Sequence, residues 1–233
     1  MGAHMVSKDL IEKARKLHGH VCPFLVLGLR MSEIAMKRLG VEKAGEIETI
    51  EESLIAIVEA NNCMADGVQI ATGCTFGNNS LVYLDLGKNA VTLVKRGSKR
   101  GVRVYIDSEK LKQKYFPKEA LDLFQKVVVE RRGSREDIEK LSKLWEEVGW
   151  AMAQLPEEEF EIQEVEIVDE IERAPIFESV RCSKCGELVM EPRAVRIGNE
   201  VLCPACAGLE ISAVIGRGIT KLKRVPFIAK KTL

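Results

Sequence analysis

HGHVCPFLVLGLRMSEIAMKRLG, residues 18–40, decides how the front of this chain is read. The segment His18-Gly19-His20-Val21-Cys22-Pro23 breaks a preceding helix, and Pro23 opens the next one, because a first-turn proline gives up no helical hydrogen bond. The spacing predicts a helix from Pro23 that stops at Gly40, and its nearly all-apolar first half marks it as buried. The break carries chemistry as well, since two imidazoles and one thiol fall within five residues. Imidazole with thiolate suits Zn²⁺, and also Ni²⁺, Fe²⁺ or Cu⁺. Gly19 frees the turn to aim both rings. A thiol at a helix start faces amide donors that lower its pKa, so Cys22 reads as a candidate reactive thiolate. The competing reading is that His18 caps the first helix and Cys22 packs in the core.

Outward from this stretch, residues 7–17 predict a helix capped by Ser7, with Leu10, Ile11, Ala14 and Leu17 on its apolar side. Residues 46–59 read as one or two strands. Asn61 and Asn62 open a short helix carrying Cys63, Asp66 and Gln69 on one face. Thr72 to Asn79 is a glycine-punctuated loop that holds Cys74. SLVYLDL, AVTLVKR and GVRVYI read as strands. Helices follow at 108–116 and 117–125, and KVVVERR is a further strand candidate. Gly133-Ser134 starts an amphipathic helix over 135–154, stopped by Pro156, and the acidic run 157–172 alternates like a surface strand. Lys95, Arg96, Lys99, Arg100 and Arg103 read as a basic, solvated hairpin, with binding of phosphate or carboxylate as the alternative.

Within this framework Cys22 and Asp66 are the candidate catalytic groups, Asp66 as proton acceptor. Gln69, Thr72 and Thr75 are candidates for orienting a ligand or hydrogen-bonding a substrate. His18, His20, Cys22, Cys63 and Cys74 are the candidate ligands of a metal, with zinc, nickel or iron the expected ions. No serine-centred triad, GxGxxG, GxxxxGK[ST] or HExxH occurs.

The tail reads more directly. Cys182-x2-Cys185 and Cys203-x2-Cys206 are separated by 17 residues, and Gly186, Ala207 and Gly208 follow the pairs. Two such hairpins offer the four soft ligands of a structural zinc, with a rubredoxin-like iron site as the alternative. A module this small gains folding energy from its metal. Beyond Glu210 the chain has no acid and carries Arg217, Lys221, Lys223, Arg224, Lys230 and Lys231. Phe227 is the one stacking face near them, so nucleic acid is not an expected partner.

The totals fit an ordinary globular protein: 233 residues, 46% apolar, 30% charged and net charge 0. Seven cysteines with no leader segment point to a reducing, cytoplasmic setting and to metal or thiol chemistry. No apolar run approaches the length of a membrane span. Met1-Gly2-Ala3-His4 reads as a cloning remnant before a native Met5, so His4 is set aside.

HGHVCPF with Gly28 and Arg30, the Cys63–Asp66–Gln69 run and TGCTFG together resemble the E-type subunit of formylmethanofuran dehydrogenase, over most of residues 7–130. The tail resembles a treble-clef or TraR-like zinc module. The resemblance implies an α+β fold, helices packed on a mixed β-sheet, with a small C-terminal zinc-binding domain; the bounds are 6–175 and 176–233. It implies a homodimer and a metal cavity at His18, His20 and Cys22, with Cys63 and Cys74 at the later cysteine positions. Asn78 stands where the family pattern has lysine. The implied role is an accessory or regulatory subunit of an oxidoreductase complex related to methanogenesis. A stand-alone metalloenzyme or metal-handling protein, and a zinc-ribbon adaptor for protein or nucleic acid, are the alternatives.

Overall fold

The computed structural model describes residues 5–223. His4 and the basic residues Arg224, Lys230 and Lys231 lie outside them, as does Phe227. The chain divides into two compact units, Met1–Arg173 and Ala174–Leu233.

The first unit begins with α1 (Lys8–His18), whose N-cap Ser7 accepts from the Leu10 amide, and whose C-cap Gly19 takes a left-handed φ of 92°. Helix α2 (Pro23–Leu39) starts at Cys22 as N-cap and ends at left-handed Gly40. Leu25 through Leu27, Leu29 and Met31 are fully buried, so the apolar half of the quoted stretch forms the centre of the core. Arg30, also buried, is accommodated by donating from Nε to the Leu155 carbonyl at 2.9 Å.

Residues 46–59 form a short helix α3 (Glu46–Ile50) followed by a single strand β1 (Leu54–Val58), where the sequence reading expected strand throughout. The Glu48 carboxylate accepts from the Gly45 amide at 3.0 Å, a local cap that strand pairing cannot match. Helix α4 (Cys63–Thr72) is capped by Asn62. Strands β2 (Leu81–Tyr83), β3 (Ala90–Lys95), β4 (Arg100–Tyr105) and β5 (Glu161–Glu166) complete the sheet, with α5 (Ser108–Tyr115), α6 (Lys118–Phe124) and α7 (Arg135–Ala153) inserted between β4 and β5. Sheet order is β2-β1-β3-β4-β5. The β1–β2 pair is parallel and the other pairs are antiparallel, so the sheet is mixed.

KVVVERR is not a strand. Gln125–Val129 continues α6 as a π-turn. The chain then folds back, the Arg132 amide donating to the Lys126 carbonyl at 3.0 Å, and the outer edge of β4 is already taken by β5.

Helix α2 packs on β3 and β4 and is flanked by α4 and α7. Its approach to α4 is set by two glycines. A Cβ on Gly28 would lie 2.1 Å from the Met64 carbonyl oxygen, and one on Gly67 would lie 2.2 Å from that of Leu25. Both distances are far inside van der Waals contact, so the backbones meet only because both side chains are absent.

The second unit consists of three antiparallel hairpins: β6 (Ser179–Arg181) with β7 (Leu188–Met190), β8 (Val195–Ile197) with β9 (Glu200–Leu202), and β10 (Ile211–Ile215) with β11 (Gly218–Leu222). The first two bring the CxxC pairs together, and the Ser183 amide donates to the Val201 carbonyl at 2.8 Å across them.

Gly67→Ala is expected to destabilise the first unit by roughly 1–3 kcal/mol or more, as overpacking of a closed interior does. Gly77→Ala, with open space around its Cβ position, is expected to be near neutral. Urea unfolding followed by tryptophan fluorescence checks both, and equal midpoints for the two variants would remove the glycine contact as a determinant.

Candidate metal centre

Three helix ends converge. His18 is the last residue of α1, Cys22 is the N-cap of α2, and Cys63 is the first residue of α4. One ligand atom from each lies within 4.8 Å of the other two. Cys22 is buried and Cys63 half-buried.

The His18 ring is fixed from behind. Its Nδ1 donates to Asp66 Oδ2 at 2.7 Å, and the other Asp66 oxygen accepts from Gln69 Nε2 at 3.1 Å. Gln69 Oε1 in turn accepts from the Phe76 amide at 3.4 Å. With Nδ1 carrying the proton, Nε2 keeps its lone pair, and Nε2 is buried without a hydrogen-bond partner. A ligating histidine typically hands its other ring proton to a carboxylate, which fixes the tautomer and raises basicity. The orphaned nitrogen beside two sulfurs therefore fits a metal ion, and the donor set suits zinc, nickel or iron.

The two thiols are not equivalent. Cys22 is pushed well above its usual range, because its hydrogen bond to Cys63 and its burial both favour the protonated form. The same hydrogen bond draws Cys63 below its usual range, against the cost of its burial and with help from the His18 ring. The low thiolate is thus Cys63, a correction to the expectation for Cys22. A helix start lowers a thiol's pKa only when no better-placed acceptor competes for its proton, and here Cys63 takes that place. His18 is raised: burial opposes the charged ring, but Asp66 and Cys63 outweigh it.

Other expected residues fall elsewhere. The exposed His20 ring lies 4.6 Å from the His18 ring, centroid to centroid, outside the ligand group. Cys74 is not brought to this group. It is fully buried, donates from Sγ to the Leu54 carbonyl at 3.3 Å, and is raised to about 11 by burial. Thr72 and Thr75 hold backbone: Thr72 Oγ1 accepts from the Cys74 amide at 3.1 Å, and Thr75 Oγ1 from the Asn78 amide at 3.1 Å. Asn78 closes the same loop, accepting from the Thr75 amide and donating to the Gly73 carbonyl. The sequence reading missed Gly67 as a determinant of the site. Its signal was a glycine inside a helix, one turn beyond Cys63.

In the second unit Cys182, Cys185, Cys203 and Cys206 present four sulfurs within 4.8 Å of one another. Backbone amides of Cys185 and Cys203 aim at Cys182 and lower its thiol, while the neighbouring sulfurs push Cys206 up to about 12. Four neighbouring thiols whose thiolates would repel one another suit a divalent ion that takes the place of their protons.

An α+β core with a His-Cys-Cys centre and a separate four-cysteine module defines a thiolate metal-binding protein. Residues 17–161 match the family described as FmdE, Molybdenum formylmethanofuran dehydrogenase operon, and residues 175–210 match the Prokaryotic dksA/traR C4-type zinc finger. The chain belongs to the FmdE family. It is 57% identical, over 91% of its length, to a protein of Archaeoglobus fulgidus named probable S-adenosyl-L-methionine-binding protein. The chain spans 56% of that relative's length. It also resembles the crystal structure of a tungsten formylmethanofuran dehydrogenase FmdE-like protein from Syntrophus aciditrophicus, with a TM-score of 0.57, 26% identity and coverage of 89% of this chain and 97% of that one.

Asp66→Asn is expected to weaken metal binding at the front centre by about 10–100-fold, the usual cost of losing a histidine's carboxylate partner. Competition against a chromogenic chelator reads the affinity. An unchanged constant would show that Asp66 does not orient a ligand.

Proposed function

We propose that this protein is a metal-binding accessory or regulatory subunit of an oxidoreductase related to formylmethanofuran dehydrogenase. The observation that carries the reading is the buried, partnerless Nε2 of His18 beside Cys22 and Cys63. Family membership supports the association with an oxidoreductase. In this reading residues 6–175 form the FmdE-like core and 176–233 a structural zinc domain, and the protein works as a cytoplasmic homodimer. No described helix is long and apolar enough to cross a membrane.

His18, Cys22 and Cys63 would hold the front ion, leaving a fourth position for water or a substrate atom, as in open zinc sites. A bound ion there supplies Lewis acidity. Asp66 accepts from both His18 and Gln69, so its work is to hold His18 in the ligating tautomer; this role replaces that of free proton acceptor. The open position is what favours the second reading, a stand-alone metalloenzyme or metal-handling protein. The relative's name adds S-adenosyl-L-methionine as a ligand to test, and part of that relative lies beyond the length matched here.

Elemental analysis of the wild type, Cys63→Ser and Cys182→Ser tests the metal reading. Two ions per chain are expected, with a different one lost in each variant. Retention of both ions in Cys63→Ser would end the case for the front centre. Co-purification with a molybdenum or tungsten oxidoreductase then separates the subunit role from the stand-alone one, and calorimetry with S-adenosyl-L-methionine checks the added ligand.

A further inference from the structure

The front centre holds a second chemistry that needs no metal. Cys22 and Cys63 place their sulfurs within 4.8 Å of each other. Their accessibilities differ: Cys22 is 5% exposed, while Cys63 is half-buried at the start of α4. A small oxidant therefore reaches Cys63 first, and Cys22 waits behind it, shielded from direct attack. Both cysteines sit at helix starts, next to the short linkers 19–21 and 59–62. The Gly28–Gly67 contact holds the bodies of the two helices together within two turns of these ends. A disulfide needs its sulfurs at about 2 Å, so the pair has to close by side-chain rotation and small shifts of the linkers.

We propose that Cys22 and Cys63 form a peroxide-driven disulfide that closes the front centre to metal. The proposal rests on the metal reading only for that last clause. In the first step the Cys63 thiolate attacks hydrogen peroxide. An S–O bond forms, the O–O bond breaks, and the departing hydroxide takes a proton to leave as water. The product is a sulfenic acid on Cys63. In the second step the Cys22 sulfur attacks the Cys63 sulfur. The S–S bond forms, the S–O bond breaks, and the leaving hydroxide takes the Cys22 proton as a second water. Two thiols are oxidised and one peroxide is reduced to two waters. The disulfide removes two of the three ligands, and His18 alone does not retain the ion. A bound ion occupies both sulfurs, so occupancy and oxidation exclude each other.

Cys74 is a built-in control. It is fully buried, and its thiol is engaged by the Leu54 carbonyl. The test treats full-length wild type and Cys74→Ser, each freed of front-site metal by chelator, with one equivalent of hydrogen peroxide, followed by non-reducing tryptic mass spectrometry. Peptide Leu17–Arg30 carries Cys22, and peptide Ala44–Lys88 carries Cys63 and Cys74. The expected result is these two peptides joined with loss of two hydrogens, in both proteins, and abolished in Cys22→Ser. Dithiothreitol should reverse the link and restore zinc uptake. Protein preloaded with zinc should link roughly tenfold more slowly or less.

No link in the metal-free protein, with Cys63 unmodified or oxidised onward to sulfinic acid, would overturn the proposal, as would a link lost in Cys74→Ser. Equal rates with and without bound zinc would overturn the mutual exclusion. The link is read without reference to metal, so a protein that forms it yet binds no front-site ion refutes the metal reading and leaves the disulfide standing.

Discussion

The front centre depends on a place where two helices touch backbone to backbone. Gly28 in α2 and Gly67 in α4 leave no room for a methyl group, because either added Cβ would overlap a carbonyl oxygen of the other helix. Cys22 and Cys63 are 41 positions apart in the chain, yet each precedes its glycine by less than two turns. At about 1.5 Å of rise per residue, both sulfurs therefore start within about 10 Å of the crossing point. The core supports the contact, because fully buried Leu25, Leu27 and Leu29 on α2 pack in the same apolar cluster as Met64 and Val68 on α4. The chemistry of the site thus depends on the absence of two side chains at its hinge.

Electrostatics then assigns each group its part. Two thiols and an imidazole in a half-dry pocket cannot all carry charge. Burial favours the neutral Cys22, and its hydrogen bond gives the thiolate to Cys63. Asp66 sides with the charged His18 ring and also fixes which nitrogen bears the proton. Every one of these preferences acts in the absence of metal, and an ion entering the group displaces the protons that Cys22 and the His18 ring hold. Gln69 extends the order outward, since its amide is oriented by Asp66 on one side and by the Phe76 backbone on the other.

The parts of this arrangement that were legible in the sequence are those whose chemistry is local. His18, Cys22, Cys63 and Asp66 could be named because ligand types clustered at predicted helix ends, and the four tail cysteines because their spacing dictates two knuckles. The misreadings share a cause. Thr72 and Thr75 look like site residues, yet they use their hydrogen bonds to shape the loop after α4. Cys74 looks like a ligand, yet one strand carbonyl satisfies it inside the core. A sequence shows which polar groups a loop contains; whether they face a cavity or their own backbone depends on the fold around them. The same holds for Gln125–Val129, whose β-branched run would suit a strand if the edge of β4 were open.

The two cysteine groups also differ in what folding asks of them. The first unit has a continuous apolar core running from Val6 to Phe160, which includes Cys22 and has Cys63 packed against it. Such a core supplies its own apolar driving force for folding, independent of an ion at the front centre. The second unit has little to bury: of its described apolar side chains, Cys182 and Leu202 are the buried ones. Three two-stranded hairpins are marginal by themselves, and their cohesion must come from a group that ties the first two together. Four sulfurs within 4.8 Å are that tie, a closed set with no ligand position to spare. Removing a metal that holds a fold together costs folding free energy, whereas removing one from the edge of a finished core costs far less. That difference fits a structural ion at the four tail cysteines and a removable one at His18, Cys22 and Cys63.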